Sequence, residues 1–136
     1  MIHQVELQLP AFSKGFHIIT DYISGELKDL PEFGMLNIFC KHTSAGLSIN
    51  ENADPSVLFD FENSFNNLVK EKEPFYTHTY EGDDDMPAHI KTSLVGSSLQ
   101  IPITNGKFNL GIWQGIYLCE FRNHGSSRTI VCTIYS

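Results

Sequence analysis

The stretch Glu81-Gly-Asp-Asp-Asp85-Met-Pro-Ala-His89 sets four carboxylates within five residues, directly ahead of a proline and a histidine. Carboxylates this close repel one another unless a proton or a cation relieves them, so one reading is a cation site. The other reading is helix physics alone. Proline suits a first helical position and acidic residues suit a helix N-terminus, so the aspartates would only cap and solvate. On a helix running from Pro87 to about Val95, Asp85, His89 and Ser93 form one i, i+4 row and share a flank. Lys91 falls about 200° from His89 at about 100° per residue and should not meet the same ligand. Met86, Ile90 and Leu94 recur every fourth residue and are expected to face the core.

Histidines elsewhere extend the cation reading. In "MLNIFCKH", strand alternation puts Leu36, Ile38, Cys40 and His42 on one face, so His42 ends an apolar row. That position fits a hydrogen-bonded histidine at the core edge as well as a ligand. Ser44, Ala45 and Gly46 follow and would let a backbone approach closely. Glu51 is either a second carboxylate for the site or a cap for the helical region after it. With His78 and His89, His42 would make a three-histidine centre with an open position, as catalytic zinc requires. No HxH or HExxH pair supports that spacing. His3, His17 and His124 lie in expected strands or turns and carry no further signal.

"GIWQGIYLCEFR" holds the only tryptophan, Trp113, beside Gln114. Glu120 and Arg122 would share a strand face with Ile116 and Leu118. They form either a same-face ion pair or, through the Arg122 fork, a phosphate or carboxylate contact. A glycine-rich phosphate loop and a nucleophile elbow are both absent.

The elements that must position these residues follow from periodicity. "QVELQLP" and "GFHII" read as strands, and "TDYISGELKDLP" as a short helix ending at Pro31. "MLNIFCKHTSAGLSIN" reads as two strands about a small-residue turn. Asp54 caps a helix with Pro55 first and an apolar stripe of Leu58, Phe61, Phe65, Leu68 and Val69, ending before Pro74. "FYTHTY" reads as a short extended piece. After the Pro87 helix, which Gly96 stops, come "SLQIPI" and "FNLGIW" about an Asn105-Gly106 hairpin turn. "GIYLCEFR" and "RTIVCTIYS" then flank "NHGSS". The expected class is α+β: one domain over residues 1–136, with a mostly antiparallel sheet or sandwich and two to three helices.

Composition bounds the rest. The chain has 136 residues, 41% hydrophobic and 18% charged, enough to bury roughly two thirds of its unfolded surface. A net charge of −7 argues against non-specific nucleic-acid binding and against docking on anionic membranes. Only Arg122 and Arg128 supply guanidinium groups. Three scattered cysteines without a CxxC pair read as reduced, buried thiols. With no signal-peptide pattern in "MIHQVELQLP" and no long apolar run, a cytoplasmic location is expected.

"HTSAGLSINEN", "EGDDDMPAHIKTSLVGSSLQIPI" and "GIWQGIYLCEFR", in that order, resemble the YjbQ-like family, also called the secondary thiamine-phosphate synthase family. The resemblance spans roughly residues 5 to 135. It departs at Ser44, where Thr is common, and in one carboxylate of the acidic run, where Asn is frequent. It implies a compact α+β fold assembling as a homotrimer, and a weak, secondary thiamine-phosphate synthase activity on a small phosphorylated or anionic metabolite. The site residues it implies are His42, Glu51, His78, Asp84, His89, Trp113, Gln114, Glu120 and Arg122. Asp85 and Ser93 join them from the helical row. Roles divide as metal ligation for His42, His78 and His89, and catalysis for Glu51, Asp84, Asp85, Glu120 and Arg122. Substrate contact falls to Trp113, Gln114 and Ser93. The expected cofactor is a divalent metal, zinc or magnesium. The alternative is a non-catalytic trimeric protein that holds a small anionic metabolite.

Overall fold

The structure is a computed structural model describing residues 1–136. Its elements are β1 (Ile2–Gln8), β2 (Gly15–Ile18), α1 (Thr20–Glu26), β3 (Phe33–Cys40), β4 (Ala45–Glu51), α2 (Pro55–Leu68), α3 (Asp85–Val95), β5 (Ser98–Thr104), β6 (Lys107–Phe108), β7 (Gln114–Glu120) and β8 (Thr129–Tyr135). They form two antiparallel sheets, ordered β1-β8-β3-β5-β6 and β2-β7-β4, so the expected α+β class with three helices is what the chain adopts. None of the helices is long and apolar enough to cross a membrane.

Alternation drives the layering. Leu36, Ile38 and Cys40 of β3 point inward with Ile101, Ile103, Ile130, Cys132 and Ile134. They meet Ala45, Leu47, Ile116 and Leu118 from the three-stranded sheet, and α1 closes one end with Ile19, Ile23 and Leu27. The opposite face of the three-stranded sheet presents Phe16, Tyr117, Cys119 and Phe121, which α2 and α3 cover through Leu58, Phe61, Phe65 and Ala88. Phe16 sits at the centre of that second cluster, 5.3 Å from Phe65 and 5.4 Å from Phe61 by ring centroid.

Local signals behave as their chemistry requires. Asp54 accepts the Ser56 N–H at 2.9 Å, with Pro55 opening α2. Asn105 and Gly106 both take positive φ, 53° and 71°, and link Thr104 to its partner Lys107 in a two-residue turn. Gly46 is required by space. A Cβ there would lie 2.7 Å from the Gly96 carbonyl, because the end of α3 rests directly on β4.

Several expectations need correcting. Helix α3 begins at Asp85, not Pro87, and Pro87 is its third residue. The first-turn N–H groups have no partner inside the helix, so proline costs little anywhere in that turn. The buried face of α3 carries Ala88, Lys91 and Thr92, while Leu94 is 58% exposed. Leu68 at the end of the α2 stripe is 72% exposed. Helix α1 stops at Glu26 rather than reaching Pro31: Leu27 already leaves helical geometry at φ −99°, ψ 82°, and Asp29 turns to φ 59°. "FYTHTY" pairs with no strand, and β6 is only two residues long.

Candidate functional site

Three loops and one helix end converge beside the three-stranded sheet. They are the turn after β3, the loop before α3, the first turn of α3, and the chain leaving β7. Asp85 is the first residue of α3 and His89 lies one turn on, which brings His89 Nε2 to 3.1 Å from Asp85 Oδ2. His78, from the preceding loop, places its Nε2 2.6 Å from the same oxygen. One ligand atom each from His78, Asp85 and His89 falls within 4.8 Å of the other two. Asp85 is 2% exposed, whereas the side chains of His78 and His89 are 41% and 34% exposed, so the cluster opens to solvent through its histidines.

The second ring nitrogen of His89 fixes its tautomer. Nδ1 lies 3.1 Å from the Thr43 carbonyl, which can only accept, so Nδ1 carries the proton. The Nε2 of a neutral ring then turns a lone pair toward a carboxylate oxygen. Two acceptors at that distance repel unless a second proton or a cation lies between them. A backbone carbonyl holding the far nitrogen is also how metal-ligating histidines are oriented. The site has the donor set and the aim of a metal centre.

Arg122 holds the carboxylates from behind. Its Nη1 donates to Asp85 Oδ1 at 2.5 Å, its Nε to Asp84 Oδ2 at 3.0 Å, and its Nη2 to the Glu81 carbonyl at 3.0 Å. Asp84 also accepts the Asn123 N–H at 2.9 Å and makes no side-chain cap to α3. For Asp85, burial pushes the carboxyl upward. The His78 hydrogen bond and the charges of Arg122 and His89 outweigh it and hold the group below the usual range. Asp84 is likewise held low against its burial, by the Asn123 N–H and Arg122.

The other sequence candidates distribute as follows. His42 is not in the cluster: its Nε2 accepts the Thr129 N–H at 2.8 Å, so that nitrogen is occupied by the β-structure. Burial and then the Arg128 charge press its pKa down, which favours the neutral ring. Asp85 takes the third place expected for His42. Glu120 is fully buried and pairs with Arg128, not Arg122, through Nε at 2.8 Å and Nη2 at 2.6 Å. Arg128 also donates to Ser44 Oγ at 3.0 Å, so this pair anchors the turn that carries Thr43. Ser93 is exposed one turn beyond His89.

Glu51, Trp113 and Gln114 sit elsewhere. The β4–β7 ladder runs from Ala45↔Glu120 to Glu51↔Gln114, six residues and about 20 Å at strand spacing. At that far end Glu51 Oε2 accepts the Ala53 and Asp54 N–H groups, both at 3.2 Å, in the turn before α2, whose own cap is Asp54. Gln114 Oε1 accepts the Gly111 N–H at 2.7 Å, and Trp113 is 62% exposed. Sequence reading missed Arg128, the Thr43 carbonyl and the burial of Lys91. Only the last left a trace, in the 200° offset of Lys91 from His89.

The chain has relatives among known proteins. The family model described as "UPF0047 protein YjbQ-like" matches residues 5–136. The UPF0047 protein YjbQ of Escherichia coli O157:H7 is 47% identical over 136 residues, covering 98% of both chains. UPF0047 protein YugU of Bacillus subtilis is 41% identical over 101 residues, 74% of this chain and 72% of its own. Among solved structures, an uncharacterized YjbQ/UPF0047 family protein from Clostridium acetobutylicum superposes with a TM-score of 0.79 at 40% identity, over 96% of this chain and 99% of that one. A conserved hypothetical protein from Thermus thermophilus gives 0.81 at 32% identity, over 93% and 97%. The chain belongs to the YjbQ-like UPF0047 family.

Proposed function

We propose that this chain is a divalent-metal-dependent enzyme of small-molecule metabolism, with His78, Asp85 and His89 as the metal ligands. The observation that carries the reading is the convergence of their three ligand atoms, with the Thr43 carbonyl setting the His89 lone pair inward. Two imidazole nitrogens and one carboxylate suit zinc better than magnesium, which prefers oxygen ligands. Three protein ligands leave a position for water or substrate. A divalent ion there supplies Lewis-acid polarisation of a substrate oxygen or a water. Arg122 keeps Asp85 ionised and aimed, and the Glu120–Arg128 pair keeps the Thr43 turn in place.

The reaction we assign is low-level thiamine-phosphate synthesis, joining a hydroxymethylpyrimidine diphosphate to a thiazole phosphate, with an anionic group of the substrate on the metal. The family resemblance supports it. Its low level fits the electrostatics: Arg122 and Arg128 are both committed to carboxylates, so neither is free for a diphosphate leaving group. That commitment also favours a second reading, a binding protein without turnover.

Assembly as a homotrimer belongs to the same proposal. The outer face of the five-stranded sheet supports it, since all three helices pack against the other sheet. Across four strands it presents an apolar row, Ile2, Tyr135, Met35 and Pro102, beside an uncharged polar row, Gln4, Thr133, Asn37 and Gln100. At one end of this face Glu6 and Lys41 neutralise each other at 2.9 Å.

The test is metal analysis of untagged protein, paired with turnover of the two thiamine precursors. One zinc per chain is expected, lost in His89→Ala and Asp85→Asn while circular dichroism stays native. Retention of both metal and turnover in these variants defeats the enzyme reading. Metal without turnover on any small-metabolite pool leaves the binding protein.

A further inference from the structure

Beside the metal cluster lies a cavity of about 240 Å³, formed where the loop after α2 folds back over the start of α3. His78 belongs to both: it lines the cavity and its Nε2 reaches Asp85 Oδ2 at 2.6 Å. Anything seated there lies against a metal ligand. Thr79 and Gly82 also line it, and the remaining walls are Tyr76, Met86, Glu73, Asp83 and Lys72.

The charges of these walls do not suit an anion. Two carboxylates face one ammonium, in a chain of net charge −7. The ammonium of Lys72 is already drawn to Asp83 at 3.7 Å, a loose contact between side chains 74% and 56% exposed. Glu73 is half-buried, yet its carboxylate takes part in no hydrogen bond or ion pair of the structure. Tyr76 adds an aromatic wall held rigidly, its hydroxyl donating to the Lys70 carbonyl at 2.9 Å and its ring packed edge-on against Phe75 at 5.2 Å. Unpaired carboxylate, fixed aromatic ring and thioether together make a seat for an organic cation, which is attracted to a ring face as well as to opposite charge.

We propose that this cavity takes the positively charged part of the substrate, an ammonium or heteroaromatic cation, while the metal holds the anionic part. The substrate class is then a small bipolar metabolite rather than a simple anion, and the two thiamine precursors, neither of which bears a fixed positive charge, are poor occupants, in keeping with a low-level activity. This deepens the metal-centre reading and rests on it for the second half of the statement. Lys72 acts against the ligand, because it competes for Asp83.

Choline chloride is a suitable probe, with inorganic phosphate as its counterpart, each followed by amide shifts in the NMR spectrum of the whole chain. Choline is expected to shift the amides of Thr79 and Gly82 at millimolar concentration. Glu73→Gln should weaken it about fivefold, as one charge contact of about 1 kcal/mol implies, and Lys72→Ala should tighten it. Zinc content should not change in either variant. No shift at about 100 mM choline overturns the proposal, as does phosphate binding that disappears in Lys72→Ala. The titration is run on both metal-free and zinc-loaded protein. Choline binding without any zinc uptake supports the cation seat and removes only the metal reading; zinc uptake without choline binding does the reverse.

Discussion

Replacing Lys91 by Met should make this protein more stable at neutral pH and less stable in strong base. Lys91 is 2% exposed, on the face of α3 that packs over the Phe16 cluster. Its ammonium reaches one acceptor, Asn66 Oδ1 at 2.6 Å, and lies 5.8 Å from the Phe121 ring centre. Burial lowers its pKa to about 8, with the Lys14 charge adding to the effect and Glu71, Glu62 and Asp84 opposing it. The folded value thus lies below the ordinary 10.5, so between about pH 8 and 10.5 the unfolded chain binds the extra proton. Folding stability therefore rises with pH across that window, and at pH 7 the fold carries the full penalty of the buried charge, about 3 kcal/mol.

Methionine has a similar unbranched stem and no charge. It removes that penalty and forfeits a neutral amine–amide hydrogen bond of about 1 kcal/mol. The expected gain at pH 7 is about 1–2 kcal/mol, or roughly 3–8 °C in Tm for a chain of this size. Above about pH 10.5 the wild type has lost its penalty and keeps its hydrogen bond, so the variant should fall behind by about 1 kcal/mol. Urea unfolding of both proteins from pH 7 to 11, compared as the difference between them, isolates Lys91 from tyrosine and cysteine titration. A difference that does not change with pH, or a variant already weaker at pH 7, refutes the reasoning and makes the buried ammonium a stabilising charge.

Four further outcomes follow from the same geometry. Glu120→Gln should cost about 3–5 kcal/mol in denaturant unfolding, because it strands the Arg128 charge in the interior. Thr92→Val should stabilise by about 1 kcal/mol, since Thr92 Oγ1 is buried without a hydrogen-bond partner. Asp84, held below its ordinary value in the fold, contributes stability that is complete above the unfolded value of about 4 and lost as pH falls through the lowered one. Asp84→Asn should therefore lower stability at pH 7 by about 1–3 kcal/mol and flatten the acid limb of the wild-type curve. Met35→Glu with Tyr135→Lys, on the outer sheet face, should bring the proposed trimer to monomer mass in light scattering without loss of secondary structure.

What the sequence revealed depended on how far a signal had to travel. Period-2 alternation in β3 and the Asn105-Gly106 turn are local, and both are realised in the fold. The Asp85–His89 row was legible for the same reason, because i, i+4 spacing survives a two-residue error in where the helix starts. His42 shows the limit. It lies two residues past the end of β3, where alternation no longer places it, and the Thr129 N–H that occupies it lies 87 residues away on β8.

The exchange of partners between Glu120 and Arg122 has a single cause in the connection after β7. Alternation carries Glu120 and Arg122 on one face only while the strand continues, and β7 ends at Glu120. Past that point the chain leaves the three-stranded sheet and returns as β8 in the five-stranded one. Arg128, just before β8, thereby reaches the buried Glu120, while Arg122 is released to the aspartates ahead of α3. One buried ion pair, Glu120–Arg128, and the partly exposed bonds of Arg122 to Asp84 and Asp85 follow from one change of sheet. No pattern within β7 encodes that change: Gly115 to Glu120 are all buried, which marks a strand covered on both faces but not where the chain goes after Glu120. The same crossing joins the two sheets to the start of α3, so the His78–Asp85–His89 cluster sits where the sandwich is tied together. Cutting the Glu120–Arg128 tie should thus loosen the Thr43 turn and, through it, the orientation of His89.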